Sequence, residues 1–377
     1  MIQKKRILAA ALSAALMAGT LAGCGASAAG NDEAADGEKI QIQYWHINSE
    51  NQGGAAVQEF IDTFNASQDE IEVEGRFNAS YDELLKNLQA DTAAGNAPSI
   101  VQVSWSNIEY FPANFSYISP EEIVSEYFPE DESFLTDTFS DSILDLARNS
   151  EGVLAGVPYS VSNPVLFYNA DLLREAGLSE DGPQSWDEFV SFAKTVKEKT
   201  GKYGAYLQEG DTWVLQAILE SGGASMLTRD GDTATATFNS EKGKAAMQSY
   251  ADMVLTDESA VHLTNNDEGI QAFNDGEIAM YIGSIAKATN IMSSANFDVR
   301  STTFPAFEGE DRAVPAGGCY LAITAQDPEE QKAAWEFIKF LCSDDNAAKW
   351  VAGTGYVPAT KGAENSQILK DYLEQNP

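Results

Sequence analysis

The chain is poor in the residues from which many catalytic and metal sites are built. Its 377 residues include 2 histidines and 3 cysteines. A serine or cysteine nucleophile of the triad type needs a histidine as general base, and a zinc site draws mainly on histidine and cysteine. The sequence also lacks the GxSxG, HExxH, P-loop, GxGxxG and EF-hand patterns. We therefore expect no catalytic residues, no metal and no cofactor, and we favour a binding protein over an enzyme.

One class of enzyme survives this exclusion, because a glycoside hydrolase needs only two carboxylates that flank the scissile bond. The chain has 58 aspartate and glutamate residues, and the sequence does not indicate which two would form such a pair. A surface glycoside hydrolase therefore remains the alternative of a different class. An adhesin or polymer-binding protein without a transporter is a third hypothesis.

Basic residues are scarce as well. The 23 lysines and arginines stand against 58 acidic residues, for a formal net charge of −35. A nucleic-acid partner is excluded, because little positive charge is available to neutralise phosphates. The hydrophobic fraction of 44% is ordinary for a globular protein, and the length is sufficient for two domains that each bury a core.

The N-terminal segment has the order of basic, apolar and small residues that is typical of an export signal. Lys4, Lys5 and Arg6 precede an apolar, alanine-rich segment over residues 7–21, and small residues follow up to Cys24. This resembles a bacterial lipoprotein signal, cleaved before a cysteine that is then lipidated. We predict a signal peptide over residues 1–23, a flexible tether over residues 24–37, and a lipid anchor on the outer face of the bacterial cytoplasmic membrane. An ordinary secretory signal with a chance cysteine is the alternative.

Two cysteines remain beyond this segment, Cys319 in an apolar strand and Cys342 on a helix face. Two distant cysteines form no disulfide framework, and with so few histidines they form no zinc site. We predict two buried free thiols, with a single bridge as the alternative in an oxidising compartment.

The first part of the mature chain alternates strands and helices. Residues 40–47 and 71–77 have the two-residue period of strands, residues 99–104 are a third strand, and helical periods lie between them. This order predicts a largely parallel sheet with helices on both faces. Ligands of such sheets lie beyond the carboxyl ends of the strands, which places residues 46–54 and 104–107 at a binding edge.

Residues 157–178, VPYSVSNPVLFYNADLLREAGL, combine an apolar strand with polar residues and prolines at its entry. A helix follows, and Asn169 or Asp171 is a suitable cap. Polar side chains beside prolines that restrict the backbone suit a crossover between two domains. We predict the first hinge crossing here.

Aromatic side chains follow several predicted strands. They can stack on the apolar C–H faces of a sugar, whose hydroxyls need paired donors and acceptors. For each aromatic residue, and for His46, the alternative is a buried core residue. The residues concerned are Trp45, His46, Tyr81, Trp105, Tyr159, Trp213 and Tyr356.

Several sequence blocks, taken in order, resemble the extracytoplasmic solute-binding proteins of ABC importers in their carbohydrate-binding group. The resemblance covers residues 40–377. Its blocks are the lipobox, VQEFIDTFNAS, AGNAPSIVQV, the 157–178 stretch, WDEF, FNDGEIAMYIGS, GGCYLAI and TGYVP.

The resemblance implies an α/β type II periplasmic-binding-protein fold with two α/β domains joined by a three-crossing hinge, closing on the ligand by hinge bending. The crossings would lie near residues 157–160, 282–284 and 325–327. Domain one would comprise residues 38–157 and 284–325, and domain two residues 158–283 and 326–377.

Within the family, the glycerol-3-phosphate-binding branch is the most similar. Its ligand residues match Tyr81, Ser162, Ser284, the Gly317–Gly318 pair and Tyr356. Where the branch has a glutamate, this chain has Trp105, which exchanges a charged group for a stacking platform and favours a sugar.

The branch also continues beyond the position that matches residue 377. We therefore expect the C-terminal part of domain two to be truncated. The arginine that meets phosphate in that branch lies in this further segment, so no phosphate-binding arginine is assigned here.

Together these features predict a monomeric, non-enzymatic receptor that captures a mono- or oligosaccharide and delivers it to ABC permease subunits. A glycerol-3-phosphate or glycerophosphodiester receptor is the alternative. We expect Trp105, Trp213 and Tyr356 to stack on the ligand. The predicted hydrogen-bonding residues are His46, Asn48, Tyr81, Ser106, Asn107, Ser162, Asn163, Ser284, Gly317 and Gly318.

Overall fold

The computed structural model describes residues 39–209, 212–231 and 233–376. The predicted signal peptide, Cys24 and the predicted tether over residues 24–37 lie outside the described residues. Lipid anchoring therefore stays a prediction.

Strands and helices alternate along most of the described chain. The strands are β1 (Ile40–His46), β2 (Ile71–Phe77), β3 (Ile100–Ser104), β4 (Val157–Ser162), β5 (Pro164–Asn169), β6 (Tyr203–Leu207), β7 (Leu227–Asp230), β8 (Thr233–Ala236), β9 (Ala260–Val261), β10 (Ile278–Ser284), β11 (Val299–Thr303) and β12 (Gly317–Ile323). The helices are α1 (Gly54–Ser67), α2 (Tyr81–Ala93), α3 (Tyr110–Asn114), α4 (Pro120–Tyr127), α5 (Phe134–Thr138), α6 (Asp141–Leu146), α7 (Ala170–Glu175), α8 (Trp186–Thr200), α9 (Trp213–Ser221), α10 (Glu241–Leu255), α11 (Asn266–Asn274), α12 (Ala288–Ser294), α13 (Pro328–Leu341), α14 (Asp344–Thr354) and α15 (Gln367–Gln375).

The first sheet has the strand order β2-β1-β3-β12-β4, and we call it with its helices lobe one. Strand β1 runs parallel to β2 and β3, which confirms the parallel βαβαβ unit predicted from the alternation. Helix α1 buries Val57, Phe60, Ile61 and Phe64 against this sheet, the residues that recur at helical spacing in the sequence. Strand β12 runs antiparallel between β3 and β4.

The second sheet has the order β11-β5-β10-β6-β9, and we call it with its helices lobe two. Its β10 strand is buried along its whole length and lies between an antiparallel and a parallel neighbour. Helix α8 shows why its segment is helical: Ser185 accepts from the Glu188 amide at the start, and Gly201 takes the left-handed conformation at the end with φ of 76°. The fold class is thus the predicted one, with two α/β lobes.

The chain divides between the lobes differently from the predicted boundaries. Strand β11 pairs with β5 in lobe two, although residues 284–325 were predicted for domain one. Helix α13 packs on lobe one, where the Phe337 ring lies 5.7 Å from Tyr44 and 5.0 Å from Phe64, although residues 326–377 were predicted for domain two. Both corrections have one cause: the strand edge that pairs with β11 and the sheet face that α13 covers are formed by residues distant in the sequence.

The positions of the crossings change accordingly. Strand β4 belongs to the first sheet and β5 to the second, so the chain passes between the lobes at Asn163, directly after the predicted residues 157–160. A later crossing lies between β11 and β12, over residues 304–316, rather than at residues 282–284. The predicted crossing at residues 325–327 lies within lobe one, between β12 and α13.

Cys319 and Cys342 are both buried and unbridged, which confirms the prediction of two free thiols. Within the described ranges, no helix has the length and apolarity that a membrane span requires. The same ranges contain no cluster of three or more potential metal-ligating histidine, cysteine, aspartate or glutamate residues.

Candidate functional site

The two lobes touch at the start of β12, where Gly317 of lobe one meets Trp213 of lobe two. A Cβ atom placed on Gly317 would lie 2.7 Å from Cζ2 of Trp213 and 2.6 Å from Oγ of Ser162. Contacts this short are sterically excluded, so only glycine lets the indole approach the strand. The structure thus brings together three of the predicted site residues: Ser162, Trp213 and Gly317.

The indole nitrogen of Trp213 is buried, and among the described residues it has no hydrogen-bond partner. Buried polar atoms in folded proteins are nearly always paired, so an exception needs an explanation. Trp213 begins α9 in lobe two and packs on the core of that lobe. The unpaired donor therefore lies on a side chain that reaches across to lobe one.

Gly318 allows β12 and β4 to approach closely. Its φ of 103° lies in the range that favours glycine, and a Cβ atom there would lie 2.0 Å from the carbonyl oxygen of Ser160. The β12–β4 register shifts between Cys319 and Tyr320. The glycine pair therefore shapes the strand edge that Trp213 contacts.

Trp105, which we predicted as a stacking platform, lies among the strands of lobe one. Its side chain is 6% exposed, and its Nε1 donates to the carbonyl oxygens of Ser160 at 3.1 Å and Gly317 at 3.0 Å. These bonds join the ends of β3, β4 and β12, so in this conformation Trp105 braces the strand ends. Stacking on a ligand stays a prediction.

Tyr356 lies in a stack of three aromatic rings. Its ring centroid is 5.6 Å from that of Trp350 at an interplanar angle of 13°, and Trp350 lies 5.1 Å from Tyr159 at 26°. Nε1 of Trp350 donates to Oγ of Ser160 at 3.1 Å. Trp350 was missed by the sequence reasoning, although it lies near the end of α14, close before Tyr356, and Gly355 supplies the left-handed turn between them.

Tyr81 lies at the start of α2 and is half-buried beside the strand edge. Burial raises the pKa of the Tyr81 hydroxyl well above its usual value, and the nearby Cys319 thiol raises this pKa further. Burial also raises the pKa of the Cys319 thiol to about 11. Both groups are therefore neutral at pH 7, and Tyr81 is placed to present a neutral hydroxyl.

His46 and Asn48 are buried, and both hold the loop that follows β1. Nδ1 of His46 accepts from the Asn48 amide at 3.3 Å, and burial lowers the pKa of His46 to about 4, so the ring is neutral. The Asn48 side chain donates to the carbonyl oxygen of Gln52 at 3.0 Å and accepts from Gln102 at 2.9 Å. These bonds supply a structural role, and ligand contact stays a prediction for both residues.

The remaining predicted polar residues lie around the crossings and the end of β3. Oγ of Ser284 accepts from the Ala286 amide at 3.2 Å and begins the turn before α12. The Asn163 side chain donates to the carbonyl oxygen of Pro315 at 3.5 Å, which joins the two crossings. Ser106 is exposed and Asn107 half-buried, in the 3-10 turn that follows β3.

A second contact between the lobes involves Gln52 and Lys287, which the sequence reasoning missed. Nζ of Lys287 donates to Oε1 of Gln52 at 2.8 Å, and Nε2 of Gln52 donates to the Tyr356 hydroxyl at 3.4 Å. Lys287 is 8% exposed, a low value for a lysine. The available signal was one lysine in the segment GSIAKAT of small and apolar residues, which begins at the end of β10.

A cavity of about 570 Å³ opens beside this contact, between α1 of lobe one, α12 of lobe two and α14. Gln52 and Thr354 line it, whereas the predicted contact residues lie outside its lining. The predicted set itself is uncharged at neutral pH, because His46 is neutral and the others carry no ionised side chain.

Comparison with known proteins shows which family and which relatives this chain resembles. A family model described as bacterial extracellular solute-binding protein matches residues 59–375. The sn-glycerol-3-phosphate-binding periplasmic protein UgpB of Escherichia coli (strain K12) is 27% identical over 354 residues, which cover 89% of this chain and 78% of the relative. UgpB of Pectobacterium atrosepticum is 27% identical over 352 residues, covering 89% of this chain and 77% of the relative.

Solved structures share the architecture. UgpB from Mycobacterium tuberculosis, solved in complex with glycerophosphocholine, aligns with a TM-score of 0.80 at 25% identity over 90% of this chain and 84% of the other. Maltose-bound MalE3 of T. maritima aligns with a TM-score of 0.77 at 22% identity over 89% of this chain and 85% of the other, a similarity that supports the fold alone.

Proposed function

Because the chain belongs to the bacterial extracellular solute-binding proteins, we propose that it captures a mono- or oligosaccharide between its two lobes and delivers it to the permease of an ABC importer. As a solute-binding protein of an ABC importer it is a receptor, as its relatives are, and not an enzyme. The class of solute is the part that we propose.

The observation that supports this proposal is the unpaired indole nitrogen of Trp213 at its contact with Gly317. Leaving a buried donor unpaired costs about 1–3 kcal/mol. A solute oxygen beside this nitrogen would remove that cost, and it would do so only when Trp213 lies against lobe one. Solute binding would therefore stabilise the closed arrangement of the lobes.

The absence of charge in the predicted contact residues favours a neutral solute. The predicted contact residues are uncharged, and the chain as a whole carries a formal net charge of −35. An anion would lose hydration on entering such a site without gaining a cation from the predicted set. Hydroxyl groups, in contrast, pair well with the serine, tyrosine and backbone groups at the strand edge.

The Trp213→Phe variant tests the role of the unpaired indole nitrogen, because phenylalanine keeps an aromatic ring and lacks this hydrogen-bond donor. A thermal-shift panel of mono-, di- and oligosaccharides and glycerol phosphates first identifies the solute, which should raise Tm in a saturable way without product formation. We expect Trp213→Phe to weaken that solute about 10-fold, equivalent to about 1.4 kcal/mol. Isothermal titration calorimetry measures the change.

Trp186→Phe is the matched control, because the indole nitrogen of Trp186 already donates to Ser249 at 2.8 Å within lobe two. This variant should change Tm and leave the affinity unchanged. Equal affinities of wild type and Trp213→Phe would remove the indole donor from the site. Turnover of a glycan would contradict the receptor function itself.

Glycerol phosphodiesters form the second candidate class, favoured by the UgpB relatives and by the buried amino group of Lys287 beside Gln52 and Tyr356. A phosphate at this position would form a charge-assisted hydrogen bond with Lys287. Removing the positive charge of Lys287 therefore discriminates between a phosphodiester and a neutral sugar.

We expect Lys287→Met to weaken a neutral sugar by less than about 3-fold, whereas a phosphodiester would lose about 10-fold or more, since hydrogen bonds to charged groups contribute about 1.5–3 kcal/mol. Titrations at two salt concentrations provide the control, because screening affects only the charged ligand. A large loss that is also salt-dependent would favour the phosphodiester over the sugar.

A further inference from the structure

We propose that the groove between α1, α12 and α14 is an additional carbohydrate subsite, which makes an oligosaccharide the preferred solute over a monosaccharide. The groove is the cavity of about 570 Å³ described above, a size within the usual range of about 300–1000 Å³ for ligand pockets. This inference rests on the proposed function, since it assigns the length of the same solute.

The groove adjoins the predicted site through two side chains that hydrogen-bond to Tyr356. Gln52 lines the groove and donates to the Tyr356 hydroxyl, and Thr354 lines it while its Oγ1 accepts from the Tyr356 amide at 3.2 Å. A solute unit that contacts Tyr356 therefore borders the groove at Gln52 and Thr354. A second unit joined to the first would extend into the open space beyond them.

The lining has the chemical character that a sugar needs. Small and apolar groups, among them Ala56, Phe60 and Ala352, provide surface for C–H faces. Asn290 and Glu59 add hydrogen-bonding groups to the same lining. The charged residues in the lining are Glu50, Glu59 and Lys349, a net negative set that is unfavourable for a phosphate.

The groove also has walls from both lobes. Helix α1 packs on the first sheet, and α12 packs on lobe two through Ile291, which is buried with Phe273 and Tyr281. A sugar unit in the groove would contact both walls only when the lobes are close together. Binding there would thus add to closure rather than act as an independent surface site.

Gly353 offers a direct test, because it lines the groove and a Cβ atom on it would meet only Cβ of Ala56, at 3.7 Å. Gly353→Trp places an indole in the groove from a position with room for a Cβ atom, and Gly353→Ala is the matched control that leaves the groove open. The probes are glucose with its α-1,4-linked and β-1,4-linked oligomers of two to four units. Calorimetry measures each affinity, and circular dichroism confirms folding.

We expect wild type and Gly353→Ala to bind the trisaccharide at least about 10-fold more tightly than the monosaccharide, and Gly353→Trp to lose that increment while keeping monosaccharide affinity. If Gly353→Trp does not fold, Ser293→Trp tests the groove from the exposed face of α12. An increment that survives in the tryptophan variant that folds overturns the subsite alone. Wild type that binds no saccharide but does bind glycerophosphocholine overturns the proposed solute class and the subsite with it.

Discussion

Replacing Gly317 with alanine is expected to weaken solute binding about 10- to 100-fold. The added methyl group would lie 2.7 Å from Cζ2 of Trp213, well inside van der Waals contact, so the indole and strand β12 must separate. Overpacking of this kind costs about 1–3 kcal/mol. The cost of the Trp213 contact falls on the closed arrangement, because Trp213 belongs to lobe two and Gly317 to lobe one. The 2.6 Å approach to Oγ of Ser162 lies within lobe one and adds a cost in either arrangement.

A double-mutant cycle with Trp213→Phe tests whether the indole of Trp213 obstructs the added methyl group, since phenylalanine lacks the second ring that carries Cζ2. Gly317→Ala should cost much less in the Trp213→Phe background than in wild type, a coupling that is measurable because the two residues are in contact. Small-angle scattering should show a more open liganded state for Gly317→Ala alone. Equal costs in both backgrounds would show that the Trp213 contact is not what limits closure.

The second large effect concerns stability. We expect Gly318→Ala to lower the free energy of unfolding by about 2–5 kcal/mol, the sum of about 1–2 for a side chain in left-handed backbone and about 1–3 for overpacking. The overpacking arises because the new Cβ atom would lie 2.0 Å from the Ser160 carbonyl oxygen. Backbone atoms of a paired strand cannot rotate away as a side chain does.

Gly95→Ala is the matched control for this prediction. Gly95 follows α2 in lobe one with φ of 79°, and no heavy atom lies within 4 Å of its hypothetical Cβ atom. It carries the backbone strain without the clash, so its cost should be about 1–2 kcal/mol. Urea denaturation followed by circular dichroism measures both variants. If they lose equal stability, the close approach of β12 to β4 contributes nothing.

Local signals in the sequence predicted much of the fold correctly. The periods that predicted β1, β2 and α1 are properties of neighbouring residues. The start of α13 is equally local, because the Asp327 carboxylate accepts from the Glu329 and Glu330 amides. The resemblance to solute-binding proteins rested on sequence blocks and is confirmed by the family match over residues 59–375.

The candidate site was predicted in part. Glycines 317 and 318 and Trp213 stood out as residues, but the contact of Gly317 with Trp213 across the lobes did not. Trp105 illustrates the limit of the local pattern. A tryptophan after a strand predicts a stacking surface whether its ring is exposed or buried. Here the side chain is 6% exposed, and its indole nitrogen donates to two carbonyl oxygens. The exposure of a ring depends on residues distant in the chain, which the local pattern does not contain.

The sequence by itself determined the class of the protein: its scarcity of histidine and cysteine, its strand and helix periods and its ordered blocks all belong to the chain before it folds. Only the tertiary structure decided which sheet receives β11 and α13, and which side chains meet between the lobes. The Lys287–Gln52–Tyr356 contacts join residues that are far apart in the sequence. The physical reason is that an apolar face must be buried and a strand must be paired, while the partner of each is selected by the packing of the whole chain.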